Sequence, residues 1–171
     1  LYYDDSYCTT FDATVTAVGE TGGRPAVQLD RTFFYPTSGG QPYDTGTLAG
    51  ADVIDVLVQD DTLWHVLAGS TALVPGQMVT GSIDWQRRYD HMQQHSGQHL
   101  LSQVFYRLFG FETVSVHFGA TESTLDLDAA ALEQNQLAAA EQEANRLAYS
   151  ALPIITYTVT QEALATVPLR R

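Results

Sequence analysis

Residues 87–101 read RRYDHMQQHSGQHLL, and this stretch predicts the helix around which the rest of the chain is organised. Apolar residues recur at helical spacing from its middle onwards, namely Met92, Leu100, Leu101, Val104, Phe105 and Leu108. His95 and His99 are one helical turn apart, so their imidazoles share a face, about 6 Å apart at Cβ. Two such ring nitrogens can reach one zinc ion at about 2.0–2.1 Å each. The pair is therefore half of a metal site.

Two interpretations of this helix face stay open on spacing alone. A histidine pair one turn apart also occurs on helices that bind no metal. His91 extends the stripe by a further turn, about 6 Å along the axis, which is too far to share the same ion. We interpret His91 as a helix-surface residue or as a residue behind the ligands, and the remainder of the chain must decide about the pair.

The composition is that of a globular protein with a packed core. Hydrophobic residues make up 44% of the 171 positions, and no apolar run approaches the roughly 20 residues that span a bilayer. We therefore expect no membrane partner. No charged-then-apolar leader opens the chain, and a single cysteine, Cys8, excludes an internal disulfide and is typical of a reducing compartment. We expect a cytoplasmic protein.

The charge balance limits the nucleic-acid partners. The formal net charge is −12, and all eight basic residues are arginine. Non-specific affinity for nucleic acids comes largely from Lys and Arg that neutralise phosphates. The composition therefore argues against an extended duplex, and we expect no DNA partner; an RNA would have to be held at a small locus. The sequence makes no prediction about the number of protomers.

Residues 1–84 carry the signals of short strands and tight turns, which predict a small N-terminal β-barrel or closed sheet. The predicted strands cover residues 13–18, 26–30, 53–58, 63–67 and 78–84. Between the two hairpins lies a glycine-rich loop, residues 31–46, that reads RTFFYPTSGGQPYDTG. Gly39 and Gly40 permit positive φ and a close approach of backbone to a ligand. The loop is either a tight connection between strands or a pocket wall that includes Gln41.

From residue 85 the pattern changes, and residues 85–171 predict an α+β domain with helices packed on an antiparallel sheet. The helix described above should end at Phe109, with Gly110 as its stop. The other predicted elements are strands over 113–118, 124–127 and 154–159, a second long helix over 129–150, and a short helix over 161–166. The fold class is therefore α+β, with a domain boundary between residues 84 and 85.

Taken in order, several motifs resemble the free-standing alanyl-tRNA editing proteins, which are relatives of the editing domain of alanyl-tRNA synthetase. The motifs are residues 2–7 with 11–15, the loop 29–42 with 44–46, the histidine stretch 90–101, and the segments 113–119, 123–127 and 143–146. Separate motifs in the right order are more specific than a histidine pair. The resemblance covers nearly the whole chain.

The resemblance implies zinc-dependent hydrolysis of the ester bond that joins serine or glycine to a mischarged tRNA for alanine. The 3′ acceptor end of that tRNA would be the partner. It implies that His95 and His99 ligate the zinc and act in catalysis through it. The residues expected to contact the substrate are Gly39, Gly40, Gln41, Ser96, Gln98 and His117. Ser96 and Gln98 resemble the larger free-standing proteins, which favours serine as the amino acid removed.

One departure from the family concerns the metal site. The family completes it with a Cys-x-x-x-His element downstream of the first histidine pair, but no cysteine follows His99. The zinc site is therefore expected to be incomplete in this chain, and we interpret the chain as truncated before that element, which should lie past Arg171. Two alternatives remain: a non-catalytic module that binds a tRNA acceptor end or a protein, and an editing segment of alanyl-tRNA synthetase. The opening residues 2–6 argue against the second.

Overall fold

The computed structural model describes residues 1–119, 122–155 and 158–167, and it has the predicted α+β class. The strands are β1 Thr10–Thr21, β2 Arg24–Leu29, β3 Gly46–Leu48, β4 Ala51–Gln59, β5 Thr62–Leu67, β6 Met78–Ile83, β7 Thr113–Phe118 and β8 Ser123–Leu127. The helices are α1 Trp85–Phe109, α2 Gln134–Tyr149 and α3 Gln161–Leu164. Within the described part of the chain, no helix is both long and apolar enough to cross a membrane.

The first six strands pair in a closed antiparallel ring, in the order β1-β2-β5-β4-β3-β6. The ring closes because β6 bonds to β3 on one side and to β1 on the other. Both predicted hairpins are present, since β1 pairs with β2 and β4 pairs with β5. The turn of the first hairpin is formed by Gly22 and Gly23, and that of the second by Asp60 and Asp61.

Alternating burial along these strands builds the core inside the ring. In β1, Phe11, Ala13 and Val15 are at most 8% exposed, while Asp12 is exposed. Successive side chains of a strand point to opposite faces, so every second residue enters the core. The other core residues are Val27, Phe34, Leu48, Val53, Val56, Leu67, Leu73, Val79 and Ile83. Phe34 belongs to the glycine-rich loop, so that loop is anchored in the core.

His65 is a structural histidine of this core, with 1% of its surface exposed. Its Nδ1 lies 3.2 Å from the Val27 carbonyl oxygen, and its Nε2 lies 2.9 Å from Thr32 Oγ1. A carbonyl oxygen only accepts, so Nδ1 carries the proton of the neutral ring. Burial lowers the pKa of His65 to about 4. The ring is therefore neutral at pH 7 and fully hydrogen-bonded.

Helix α1 begins and ends with defined caps. Asp84 precedes it and accepts a hydrogen bond from the Arg87 backbone N–H at 3.2 Å. Gly110 ends it with φ of 76°, and its N–H donates to the Tyr106 carbonyl at 2.9 Å. The predicted end at Phe109 is confirmed.

The first compact unit runs over Leu1–Ala131 and so crosses the predicted boundary between residues 84 and 85. The physical reason is a buried ion pair: Arg88 of α1 is 3% exposed and Asp44 of the glycine-rich loop is 0% exposed. The helix and the ring of strands therefore share one unit. Strands β7 and β8 form a two-stranded antiparallel hairpin in the same unit, and both contact α1.

The second compact unit, Leu132–Arg171, contains α2 and α3. Helix α2 begins at Gln134, five residues later than predicted, and an exposed bidentate pair joins its Arg146 to Glu143 at 2.7 Å. The predicted strand over 154–159 is not formed at residues 154, 155, 158 and 159, and its other two residues lie outside the described part. The sheet predicted for this half thus has two strands in the described residues.

Candidate functional site

The paired glycines form a tight two-residue turn that delivers Gln41. Ser38 and Gln41 exchange backbone hydrogen bonds of 3.0 and 3.1 Å across Gly39 and Gly40. The two glycines have φ values of 59° and 82°. Positive φ at both central positions is the signature of a type I′ turn, which other residues adopt at a cost. The turn holds the Gln41 side chain against α1, with 6% of its surface exposed.

Gln41 fixes the orientation of His95. The Gln41 side-chain oxygen lies 2.7 Å from His95 Nδ1. An amide oxygen only accepts, so His95 Nδ1 carries the proton and Nε2 keeps its lone pair. His95 Nε2 in turn lies 3.0 Å from His99 Nε2, and the two rings are stacked 4.9 Å apart. With His95 Nε2 unprotonated, His99 Nε2 is the donor across this distance.

This arrangement fits two positions of a zinc site. Two nitrogen ligands about 2.05 Å from a tetrahedral zinc ion lie roughly 3.3 Å apart, close to the separation of the two Nε2 atoms. Burial lowers the pKa of His95 below its ordinary value, and the neighbouring His99 lowers it further. The neutral ring is the form that binds metal. Metal-bound histidines commonly donate the other ring N–H to a carbonyl or carboxylate oxygen, which is the part Gln41 takes.

The described residues bring together two candidate metal ligands and no more. No group of three or more His, Cys, Asp or Glu side chains in that part of the chain is placed to hold a metal ion. Catalytic zinc sites usually have three protein ligands. The two histidines thus fit the ion and need at least one more ligand from elsewhere.

Helix α1 and the β7–β8 hairpin meet beside the histidine pair. The Phe118 ring packs 5.8 Å from the His95 ring, and Ser123 Oγ donates to the Gln94 side-chain oxygen at 2.7 Å. Further along the helix, Thr113 Oγ1 donates to Ser102 Oγ at 2.8 Å. A cavity of about 230 Å³ lies along this junction, with Gln98 in its wall. The hairpin therefore covers one side of the candidate metal centre.

The predicted site residues divide into two groups. The structure brings Gly39, Gly40, Gln41, His95 and His99 together. Gln98 lies nearby, but its amide donates to Ser102 at 2.9 Å. Ser96 directly follows His95 in α1, and its side chain is exposed. His117 is exposed on β7 and pairs with Thr124, while its neighbour Phe118 faces His95.

Sequence reasoning missed the residues that hold α1 in place. The Arg88 guanidinium donates through Nε and Nη2 to Asp44, through Nη1 to the Ser6 carbonyl at 2.9 Å, and through Nη2 to the Phe33 carbonyl at 2.5 Å. Asp44 also accepts from the Tyr35 backbone N–H at 2.6 Å. Nothing in a local pattern pairs residues so far apart. For Phe118 the sequence did carry a signal. Phe118 lies on the apolar face of β7, and an apolar strand face is expected to pack against a helix.

Sequence comparison with known proteins gives the family of the chain. A family model described as tRNA synthetases class II (A) matches residues 7–87. The alanyl-tRNA editing protein AlaX-M of Methanosarcina barkeri is 35% identical over an alignment of 171 positions that covers 95% of this chain and 69% of that protein. This chain belongs to the alanyl-tRNA editing protein family.

Other relatives in this family are longer. The alanyl-tRNA editing protein Aarsd1 of Danio rerio is 36% identical over 162 residues, covering 88% of this chain and 39% of that protein. AlaX-L of Pyrococcus horikoshii is 32% identical over 163 residues, covering 91% of this chain and 39% of that protein. The chain thus spans about two fifths of the length of these relatives. All three relatives are named as editing proteins, as the motif series implied.

Proposed function

We propose that this chain belongs to a cytoplasmic enzyme that hydrolyses the ester bond of mischarged tRNA for alanine, with serine or glycine as the amino acid removed. The observation that carries the proposal is the histidine pair. The Nε2 atoms of His95 and His99 converge to 3.0 Å, and Gln41 holds the first ring in the metal-binding tautomer. The chain that carries this pair belongs to the alanyl-tRNA editing family.

Zinc is the cofactor that we propose, held by the Nε2 atoms of His95 and His99, with the Nε2 proton of His99 displaced when the metal binds. When bound, zinc polarises an ester carbonyl or lowers the pKa of a bound water to about 7. Other residues of the chain shape the surroundings of the two histidines. Gln41 keeps the proton on His95 Nδ1, and Phe118 covers one side of the imidazole and excludes water there. The Gly39–Gly40 turn, which presents Gln41 to His95, would border the path by which the tRNA 3′ end reaches the pair.

The small cavity beside the histidine pair suits a small amino acid. Its volume is about 230 Å³, and its wall combines the Gln98 amide and Ser123 with the apolar side chains of Leu101, Val116 and Phe118. A pocket for alanine rejects slightly different small amino acids by only about 10- to 200-fold through binding alone, so a second, hydrolytic site is needed. The wall is mostly apolar, and the preference for serine over glycine rests on the resemblance of Ser96 and Gln98 to the larger free-standing proteins.

A second candidate function is a non-catalytic module that binds the acceptor end of a tRNA. The observation in its favour is the ligand count, because the described residues place only two histidines at the candidate metal centre. This module would bind the same tRNA end without cleaving the ester. The two functions therefore differ in turnover and in metal content, and one experiment separates them.

The experiment measures zinc by mass spectrometry and deacylation of Ser-, Gly- and Ala-tRNA for alanine by the full natural chain. We expect one zinc ion per chain, faster release of serine than of alanine, and loss of both zinc and activity in His95→Ala. Gln59→Ala, at the exposed end of β4, serves as the matched control and should keep both. A zinc-free protein that binds the tRNA without deacylating it would establish the non-catalytic module instead.

A further inference from the structure

A large cavity lies beside the first half of α1, and its wall carries chemistry that the histidine pair does not use. The cavity measures about 750 Å³, within the range of about 300–1,000 Å³ that is typical of small-ligand sites. Trp85, Arg87, Tyr89 and His91 line it from the helix. Phe118 lines it as well and also packs against His95. The cavity therefore borders the candidate metal centre.

His91 is the residue that points to a ligand. It is 8% exposed, and its Nδ1 is buried without a hydrogen-bond partner in the described part of the chain. A buried polar atom left without a partner costs about 1–3 kcal/mol, so such atoms are rare in folded proteins. Burial lowers the pKa of His91, and the nearby Arg87 lowers it further, which favours the neutral ring. His91 lines the cavity, and its Nδ1 is the ring nitrogen that is buried without a partner among the described residues.

The other wall residues select the class of ligand. The rings of Trp85 and Tyr89 lie 5.3 Å apart at an angle of 34°, and Tyr7 continues the run 5.5 Å from Trp85. Tyr89 is 42% exposed, so part of its ring is free to stack on a flat ligand. Among the described residues the wall has one cation, Arg87, against the carboxylates of Asp84 and Asp90. This mixture repels a cluster of phosphates and suits the donors and acceptors of an uncharged base.

We propose that this cavity binds an unpaired nucleobase of the tRNA 3′ end, stacked on Tyr89 and hydrogen-bonded to the His91 imidazole. The inference rests on the proposed function, because the base would lie next to the ester that the histidine pair faces. It also explains how a chain with a net charge of −12 can hold RNA. Stacking contributes about 1–3 kcal/mol per base without neutralising phosphates. The affinity should therefore depend only weakly on salt.

The test is the affinity of the chain for a short single-stranded RNA that ends in CCA, titrated at about 50 and 200 mM salt. Tyr89→Ala should weaken binding by about 5- to 100-fold, the value of one stacked base. His91→Gln should weaken it by about 5-fold, the value of one hydrogen bond. The control is Tyr149→Ala, which removes a tyrosine that is 89% exposed on α2 and should bind like the wild type. Thermal unfolding of each variant establishes that it is folded, and Tyr89→Ala carries the test if His91→Gln does not fold.

Equal affinity of Tyr89→Ala and the wild type would overturn the inference, as would equal binding of a fully paired RNA without an overhang. The proposed function fails separately. If the RNA binds and Tyr89→Ala weakens it, but no Ser-tRNA is deacylated, the base site stands and the hydrolase does not. If Ser-tRNA is deacylated with the same kcat/KM by wild type and Tyr89→Ala, the hydrolase stands and the base site does not.

Discussion

Two side chains of α1 are held by the same loop, and they differ in how much of their bonding capacity is used. Arg88 is 3% exposed, and its guanidinium donates to Asp44 and to two backbone carbonyls. His95 is half-buried and uses Nδ1 for Gln41, while its Nε2 meets only the Nε2 of His99. The first contact is saturated; in the second, the His95 Nε2 lone pair is engaged only by the neighbouring His99 ring.

This difference separates a structural contact from a functional one. A buried group whose partners are all present, such as Arg88, can do nothing further, and it fixes the position of the helix. Two histidine nitrogens at an exposed edge, held in position but not saturated with hydrogen bonds, are available to a ligand. The saturated contact provides the rigid support that keeps the open pair in its geometry. Breaking each in turn should therefore affect different measurements.

The largest effect should come from Arg88→Ala, which leaves the Asp44 carboxylate buried without its partner. Breaking one side of a buried ion pair costs about 3–5 kcal/mol of unfolding free energy, measured by urea titration. The matched control is Arg146→Ala, whose pair with Glu143 on α2 is exposed and should leave the urea midpoint unchanged. Equal midpoints for both variants would show that Arg88 does not support the helix.

The next effect concerns His65, a histidine whose hydrogen bonds are saturated. Above pH 6.5 the ring is neutral in both folded and unfolded chains and adds no pH dependence. Below pH 6.5 the unfolded ring takes up a proton that the folded ring, with a pKa of about 4, refuses. Stability should therefore fall as the pH drops, by about 3 kcal/mol at pH 4 from this group. Urea titrations of wild type and His65→Gln between pH 7 and 4 should show a shallower fall in the variant; parallel curves would refute the assignment.

A smaller effect is expected at the open pair. Gln41→Ala removes the acceptor for His95 Nδ1, so the ring is free to rotate and to change tautomer. Loss of such a partner typically lowers metal affinity about 10- to 100-fold. Gln41→Glu keeps an acceptor oxygen and should retain most of the zinc affinity, measured by competition with a chromophoric chelator. If Gln41→Ala binds zinc as tightly as the wild type, the loop does not orient the ligand.

The smallest effect should come from the turn that presents Gln41. Gly40→Ala forces a φ of 82° on a residue with a side chain, which costs about 1–2 kcal/mol. Gly97→Ala is the matched control, because this helical glycine has no atom within 4 Å of an added Cβ. It should gain about 0.5–1 kcal/mol. Thermal melts that move in the same direction for both variants would contradict the turn geometry.

Much of the fold was readable from local pattern. The hairpins β1–β2 and β4–β5 follow from alternating apolar residues around glycine and aspartate turns, and α1 follows from its apolar spacing and Gly110. Local pattern also paired His95 with His99. Each of these features depends on residues close together in the chain, where the helical or strand period determines which side chains share a face.

What the sequence did not reveal depends on distant pairs. Arg88 and Asp44 are 44 residues apart and His95 and Gln41 are 54 residues apart, and a polar residue carries no local mark of its partner. The ion pair of Asp44 and Arg88, which joins the two sides of the predicted domain boundary after residue 84, carried no local signal either. His117 was assigned to the substrate site from the chemistry of its side chain, and that assignment stays a prediction. The residue of β7 that packs against His95 is the neighbouring Phe118.

The two contacts between the loop and α1 also set a length. Arg88 and His95 are seven residues apart, about 10.5 Å along a helix axis. One inserted residue between them would advance the second contact by about 1.5 Å and rotate it by about 100°. His95 would then leave Gln41 while Arg88 kept Asp44, so this segment works as a ruler of fixed length. Insertions and deletions are therefore expected to accumulate in the hairpin turns, such as residues 22–23 and 59–61, and to be excluded between residues 88 and 95.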